Sequence, residues 1–220
     1  GVHAERVSAR LQQMEEECPG IFLAVGDGNH SLASAKTCWE NAKKDLTEEE
    51  RTDHPMRYAL VEAVNLYSPS LLFYPIHRVL YDCDDNTLAN GFAEYLEKQD
   101  MRLVRTDNDN QADVTFLYKE NEASYKIENR AGHLPVELLQ KYLDEYLKEH
   151  PEQELDYVHS EAVAEYIAED GRGCAMILGA FDKSSLFDAI EAGGVLPRKT
   201  FSIGEDIQKR YYMECRKLTK

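Results

Sequence analysis

The sequence predicts an α/β fold in which helices are layered on a mixed β-sheet, with the choice between α/β and α+β left open. Three observations predict it. Short apolar runs such as Ile21–Val25, Val114–Tyr118 and Ala175–Leu178 have the length and composition of buried strands. Between such runs, stretches 88–96 and 138–147 repeat their apolar residues at helical spacing. The runs at 114–118 and 124–128 are close enough for a hairpin, whereas others are separated by whole helices.

Taken in order, Val7, Leu11 and Met14 mark a helix that Pro19-Gly20 stops, and Ile21–Val25 follows as a short buried strand. Leu32, Ala35, Trp39 and Ala42 form the inward stripe of the next helix, with Asn29 or Ser31 as its cap. Thr47 and the acids 48–50 read as the cap and first turn of a short helix leading to a strand-like run from Tyr58 to Leu66. A second long strand spans Leu71 to Leu80, interrupted by Pro75, which cannot donate a ladder hydrogen bond and so favours an edge or a bulge. Leu88, Phe92, Tyr95 and Leu96 mark a helix, and strands follow near 101–106, 114–118 and 124–128. The longest helix carries Leu138, Leu139, Tyr142, Leu143, Tyr146 and Leu147, and Glu149-His150-Pro151 ends it. Tyr157-Val158 is a short strand, Ala162, Val163, Tyr166 and Ile167 line a helix, and Ala175–Leu178 is a strand. Leu186, Phe187 and Ile190 make a last helix closed by Gly193-Gly194. No repeat or flexible linker divides residues 1–220, so the expectation is one body with a sub-boundary near 81–86.

A net charge of −16 and a pI near 4.8 argue against nucleic-acid or anionic-membrane partners, since Arg198-Lys199 is only a short basic pair. No apolar run approaches the roughly 18 residues that span a bilayer. Five scattered cysteines without a C-x-x-C pair fit neither a disulfide framework nor a zinc knuckle and point to the reducing cytoplasm. Cys38 and Cys174 read as buried structural thiols. The chain opens on Gly1 within what reads as mid-protein helix, so the C-terminal portion of a longer protein is expected. Oligomeric state has no signature here.

Three segments carry residue types for polar chemistry. Gly26, Asp27, Gly28, Asn29, His30 and Ser31 stand where an apolar run hands over to a helix, a place where α/β proteins hold anions on exposed backbone amides. The same residues also make ordinary turn chemistry. His77 and Arg78 close an apolar strand, on opposite faces unless a bulge at Pro75 re-aims one of them. Arg198 and Lys199, with Thr200 and Ser202, follow a Gly-Gly break and suit a phosphate or carboxylate, or equally a solvated loop. Asp82, Asp84 and Asn86 imitate the start of an EF-hand, but Thr87 replaces its glycine and no glutamate closes the loop, so calcium and other metals are not expected.

Read together, Val25–Ser31, Val64–Leu71 with Pro75–Val79, and Ala192–Phe201 resemble an uncharacterised bacterial and archaeal family, domain of unknown function 1015, over nearly the whole chain. The resemblance matches that family's C-terminal half. The family's Asp-Gly-His-His-Arg box is in turn similar to the phosphate-binding turn of the ParB and sulfiredoxin superfamily, which includes ADP-dependent free-serine kinases and CTP-binding partition proteins. Asp27, Gly28, Asn29 and His30 match its first four positions, with Asn29 replacing the first His and Ser31 replacing Arg. Loss of that Arg removes a charge-assisted donor of about 1.5–3 kcal/mol. The catalytic acid of the kinase relatives lies upstream of the box.

The reading that follows is an anion- or nucleotide-binding protein, kinase-like if an enzyme, taking a small phosphorylated ligand such as ATP or ADP with magnesium. The three segments are expected to form one site. In an active version the box amides and Arg78 hold phosphates, Asp27 orients His30 or a metal-bound water, and His30 donates to the transferring group. The alternative is a non-catalytic scaffold or regulatory module in which the box is only a turn and a helix cap.

Overall fold

The computed structural model describes residues 1–108, 111–204 and 215–218. The described chain divides into two compact units, one holding Gly1–Asn65 with residues 215–218 and the other running from Leu66 to Gly204. The α/β fold is present: among the described residues seven α-helices accompany a six-stranded sheet and a two-stranded sheet.

The first unit is helical, with α1 (Val2–Glu17), α2 (Asn29–Ala42) and α3 (Glu48–Thr52). At α3 the expected cap forms in full, for the Thr47 hydroxyl accepts from the Glu50 amide while the Glu50 carboxylate accepts from the Thr47 amide. Trp39 of α2 stacks on His54 with ring centres 5.7 Å apart. No residue of 1–65 is buried, and this corrects several expectations. Ile21–Val25 is irregular rather than a buried strand, with Leu23 69% exposed. The run from Tyr58 to Leu66 forms no strand either. Apolar composition alone does not make a strand, because each backbone group needs a neighbouring strand to pair with, and among the described residues neither run has one. The apolar stripe of α1 stays exposed, Ala35 of α2 is exposed, and Cys38 is an exposed thiol rather than a buried one.

The second unit is a three-layer sandwich. Its elements are β1 (Phe73–Pro75), β2 (His77–Tyr81), α4 (Asp85–Glu97), β3 (Arg102–Arg105), β4 (Val114–Tyr118), β5 (Asn121–Glu128), α5 (Pro135–Glu149), β6 (Leu155–Val158), α6 (Glu161–Glu169), β7 (Gly173–Leu178), α7 (Leu186–Gly193) and β8 (Phe201–Ile203). The large sheet runs β3-β5-β4-β7-β2-β6, and each registered pair is antiparallel, including the β4–β5 hairpin. Pro75 ends a strand as its chemistry requires. The run from Leu71 to Leu80 becomes two strands in different sheets, β1 pairing with β8 and β2 joining the large sheet.

Alternation along each strand sends side chains to two cores. Leu80, Phe116 and Met176 meet Leu88, Phe92, Leu138, Leu139 and Leu143 of α4 and α5 on one face. Val79, Ala175 and Ile177 meet Ala164, Ile167 and Ala168 of α6 on the other. The expected inward stripe of α6 is therefore shifted in phase. Ala164 and Ala168 let the helix approach the sheet closely, which leaves Val163 and Tyr166 at 49% and 63% exposure.

Candidate anion site

The Asp27–His30 turn belongs to the first unit, and His77, Arg78, Arg198 and Lys199 belong to the second. In the turn, Gly28 adopts φ 78°, a left-handed conformation that glycine takes without a Cβ penalty, and Gly28 rather than Asn29 or Ser31 is the N-cap of α2. Nothing lies within 4 Å of where a Gly28 Cβ would stand. The Asp27 Oδ1 accepts from the Gly28 amide at 2.7 Å. Gly28 offers no side-chain cap to α2 and no acid occupies the first turn of that helix. Gly26, Asp27, Asn29, His30 and Ser31 are all exposed.

In the second unit, β2 separates its two polar residues as strand alternation requires. His77 is buried on the side of α6, where its Nδ1 accepts from the Leu178 amide at 3.1 Å. Burial, with the nearby positive charge of Arg78 and with His159, pushes its pKa down to about 4. The ring is therefore neutral at pH 7, and its proton sits on Nε2.

Arg78 points to the opposite face. Its side chain is fully buried, with Nε and Nη2 each donating to Gln140 Oε1 at 3.2 Å and Nη1 donating to the Ile76 carbonyl. Among the described residues no carboxylate forms an ion pair with it. Burial lowers its pKa to about 10, which still leaves it charged at neutral pH. Across β2–β6, Arg78 is in register with Tyr157, and its guanidinium lies 5.1 Å from the centre of that ring. Arg198 lies against the same ring at 5.7 Å. Two cations thus share one aromatic ring. The Tyr157 hydroxyl is buried and has no hydrogen-bond partner among the described residues.

The segment carrying Arg198 is laid over a polar stripe of α5. Gly194, at φ 79°, ends α7, and at Gly193 a Cβ would stand 3.2 Å from Glu137 Oε2. Further along, Arg198 reaches Asp144 at 3.9 Å, and Gln140 donates to Asp144 at 2.9 Å. Thr200 donates to the Pro197 carbonyl at 2.7 Å, fixing a turn in which Lys199 is held at φ 57°, a costly conformation for a residue with a Cβ. Glu137 is buried, which raises its pKa, but hydrogen bonds from Lys141 at 2.7 Å and His133 at 3.0 Å outweigh that and hold it below the usual value. Arg78 and Arg198 are thereby brought together, whereas His77 faces the other side and Lys199 points from an exposed turn. Tyr157, Gln140 and Asp144 were not legible as site residues. A signal existed for two of them, because Glu137, Gln140 and Asp144 recur at i, i+3 and i+7 along one side of the helix.

No curated protein matches the sequence. Among solved structures, the fold is similar to a conserved hypothetical protein from Pyrococcus furiosus, with TM-score 0.53 and 16% identity over 86% of this chain and 73% of that one. It is also similar to a variant of a free serine kinase in complex with ADP, with TM-score 0.55 and 14% identity over 91% of this chain and 80% of that one. A free serine kinase in complex with AMP matches at TM-score 0.54 and 14% identity, with the same coverage. At such identities the likeness is one of fold. The family model for a protein of unknown function, DUF1015, matches residues 5–156, more than half of the sequence, and the chain belongs to that family.

Proposed function

We propose that this protein binds a nucleotide through its phosphates, within a kinase-like phosphotransferase framework. The observation that carries the reading is Arg78, a fully buried guanidinium that forms no ion pair with an acid among the described residues and shares the Tyr157 ring with Arg198. A buried charge whose hydrogen bonds go to neutral acceptors, with Asp144 acting on it only from a distance, is costly, and an anion reaching the Arg198 side of the ring would relieve that cost. In the first unit, the uncapped amides of α2 behind the Gly28 turn are a second anion-holding feature. The likeness of that turn to the ParB and sulfiredoxin phosphate-binding turn supports the same ligand class, as do the ADP and AMP of the free serine kinase structures. Among the described residues no group of three ligating side chains is arranged to hold a metal, so magnesium would enter on the nucleotide. The unpaired cysteines fit a bacterial cytoplasm.

Calorimetric titration with ATP, ADP and CTP, with and without magnesium, tests this reading. Saturable binding is expected, weakened about tenfold in Arg198→Gln, which removes one charge-assisted donor from an exposed position. Folded protein that gives no heat with any nucleotide would return the reading to a non-catalytic scaffold. One observation favours that second reading: Asp27 spends Oδ1 on the adjacent Gly28 amide, as an ordinary turn residue does.

A further inference from the structure

We propose that α1 is a self-association surface that takes a second copy of this chain, the two α1 helices lying antiparallel. Every residue of α1 is exposed, and its apolar residues Val7, Leu11 and Met14 stand at 60%, 41% and 41% exposure. A lone helix of this length is marginal in water, and in proteins an amphipathic helix draws most of its stability from packing its apolar side. Among the described residues nothing buries that side of α1. The helix belongs to the first unit and shares no residue with the Arg78 site.

The period of the stripe says what shape covers it. Ala4, Val7, Leu11, Met14 and Cys18 recur at alternating spacings of three and four, the seam along which one helix packs on another. The residues flanking that seam, His3, Ser8, Arg10, Glu15 and Glu17, are all polar. So narrow a stripe fits a second helix, whereas packing on a globular core asks for a wider one.

Charge says which helix and in which direction. The basic residues Arg6 and Arg10 lie in the first ten positions, beside a single acid, Glu5, and the helix ends on Glu15, Glu16 and Glu17. This arrangement opposes the helix dipole, whose negative end falls among three glutamates with no basic residue in the last turn. An antiparallel copy relieves the conflict, because it brings the positive helix end with Arg6 and Arg10 of the partner subunit beside those acids. A parallel copy would stack acid on acid. Arg10 and Glu17 lie one heptad apart on the same flank of the seam, where Arg10 Nη1 stands 3.9 Å from Glu17 Oε2. Like flanks meet in an antiparallel pair, so Leu11 packs against Met14 of the partner subunit and Arg10 meets Glu17 of the partner subunit. The twofold axis makes each contact twice.

The test is sedimentation equilibrium of the whole chain at about 0.15 M salt, which screens the net charge of −16. The helix is about 24 Å long, so the contact is small, and a monomer–dimer equilibrium with a Kd on the order of 100 μM is expected. Leu11→Asp should leave only monomer. Arg10→Glu and Glu17→Arg should each weaken association about tenfold, and the two substitutions together should restore it. All three side chains are exposed, and circular dichroism checks that each variant keeps the fold. Monomer alone up to about 1 mM, a dimer indifferent to Leu11→Asp, or a double variant no tighter than its single parents would overturn the proposal.

Discussion

His77 makes the stability of the second unit depend on pH in a way that can be calculated. In the fold, its Nδ1 must stay unprotonated to accept from the Leu178 amide, and its pKa is pushed down to about 4, first by burial and then by Arg78. In the unfolded chain it returns to about 6.5. Between those values the unfolded state binds more protons, so the contribution is fully present above pH 6.5 and is lost as the pH falls toward 4. Linkage puts the loss at about 2 kcal/mol by pH 5 and about 3 kcal/mol by pH 4, relative to pH 8. The substitution His77→Asn keeps an acceptor near the Leu178 amide and removes the titration, so it isolates this residue from the other histidines. Hydrogen exchange of the β7 amides, followed by mass spectrometry from pH 8 to pH 5 and corrected for intrinsic rates, reads the local opening free energy. Wild type should lose about 2 kcal/mol more than His77→Asn over that range. Parallel profiles for the two proteins would refute the reasoning.

Gly173→Ala should destabilise the second unit by more than about 2 kcal/mol in thermal melts followed by circular dichroism, because the new Cβ would stand 2.5 Å from the Leu80 carbonyl oxygen and 2.9 Å from the Tyr81 Cα. Gly28→Ala should cost the first unit only about 1 kcal/mol, read by Trp39 fluorescence, since its left-handed backbone is strained by a Cβ that touches nothing. Thr47→Ala should cost about 1 kcal/mol by the same probe, through loss of the capping box. A thiol reagent should label Cys38 and Cys215 in the folded protein, while Cys83 and Cys174, buried and with burial raising both thiol pKa values, should react only on unfolding.

Elements with strong, unambiguous periods were legible in the sequence. The stripes of α4 and α5, the β4–β5 hairpin and the glycine end of α7 all follow from local pattern, because burial and turn chemistry there point the same way. Ile21–Val25 and the run from Tyr58 to Leu66 misled because an apolar run does not state whether another strand lies beside it. The phase of α6 was hidden because Val163 and Tyr166 are as apolar as Ile167, and only close approach of Ala164 and Ala168 to the sheet selects between faces. At the site, Arg78 and Arg198 stood out by residue type. Their meeting on Tyr157 did not, because it depends on β2–β6 register across 79 residues of chain, Arg78 pairing with Tyr157.

The most direct test of the central claim is to follow the arginine Nε–H resonances by NMR while ADP is added. The account predicts saturable shifts at Arg78 and Arg198, with inorganic phosphate shifting the same two signals more weakly. Saturable ADP binding that leaves both signals unmoved, or no binding at all, would contradict it.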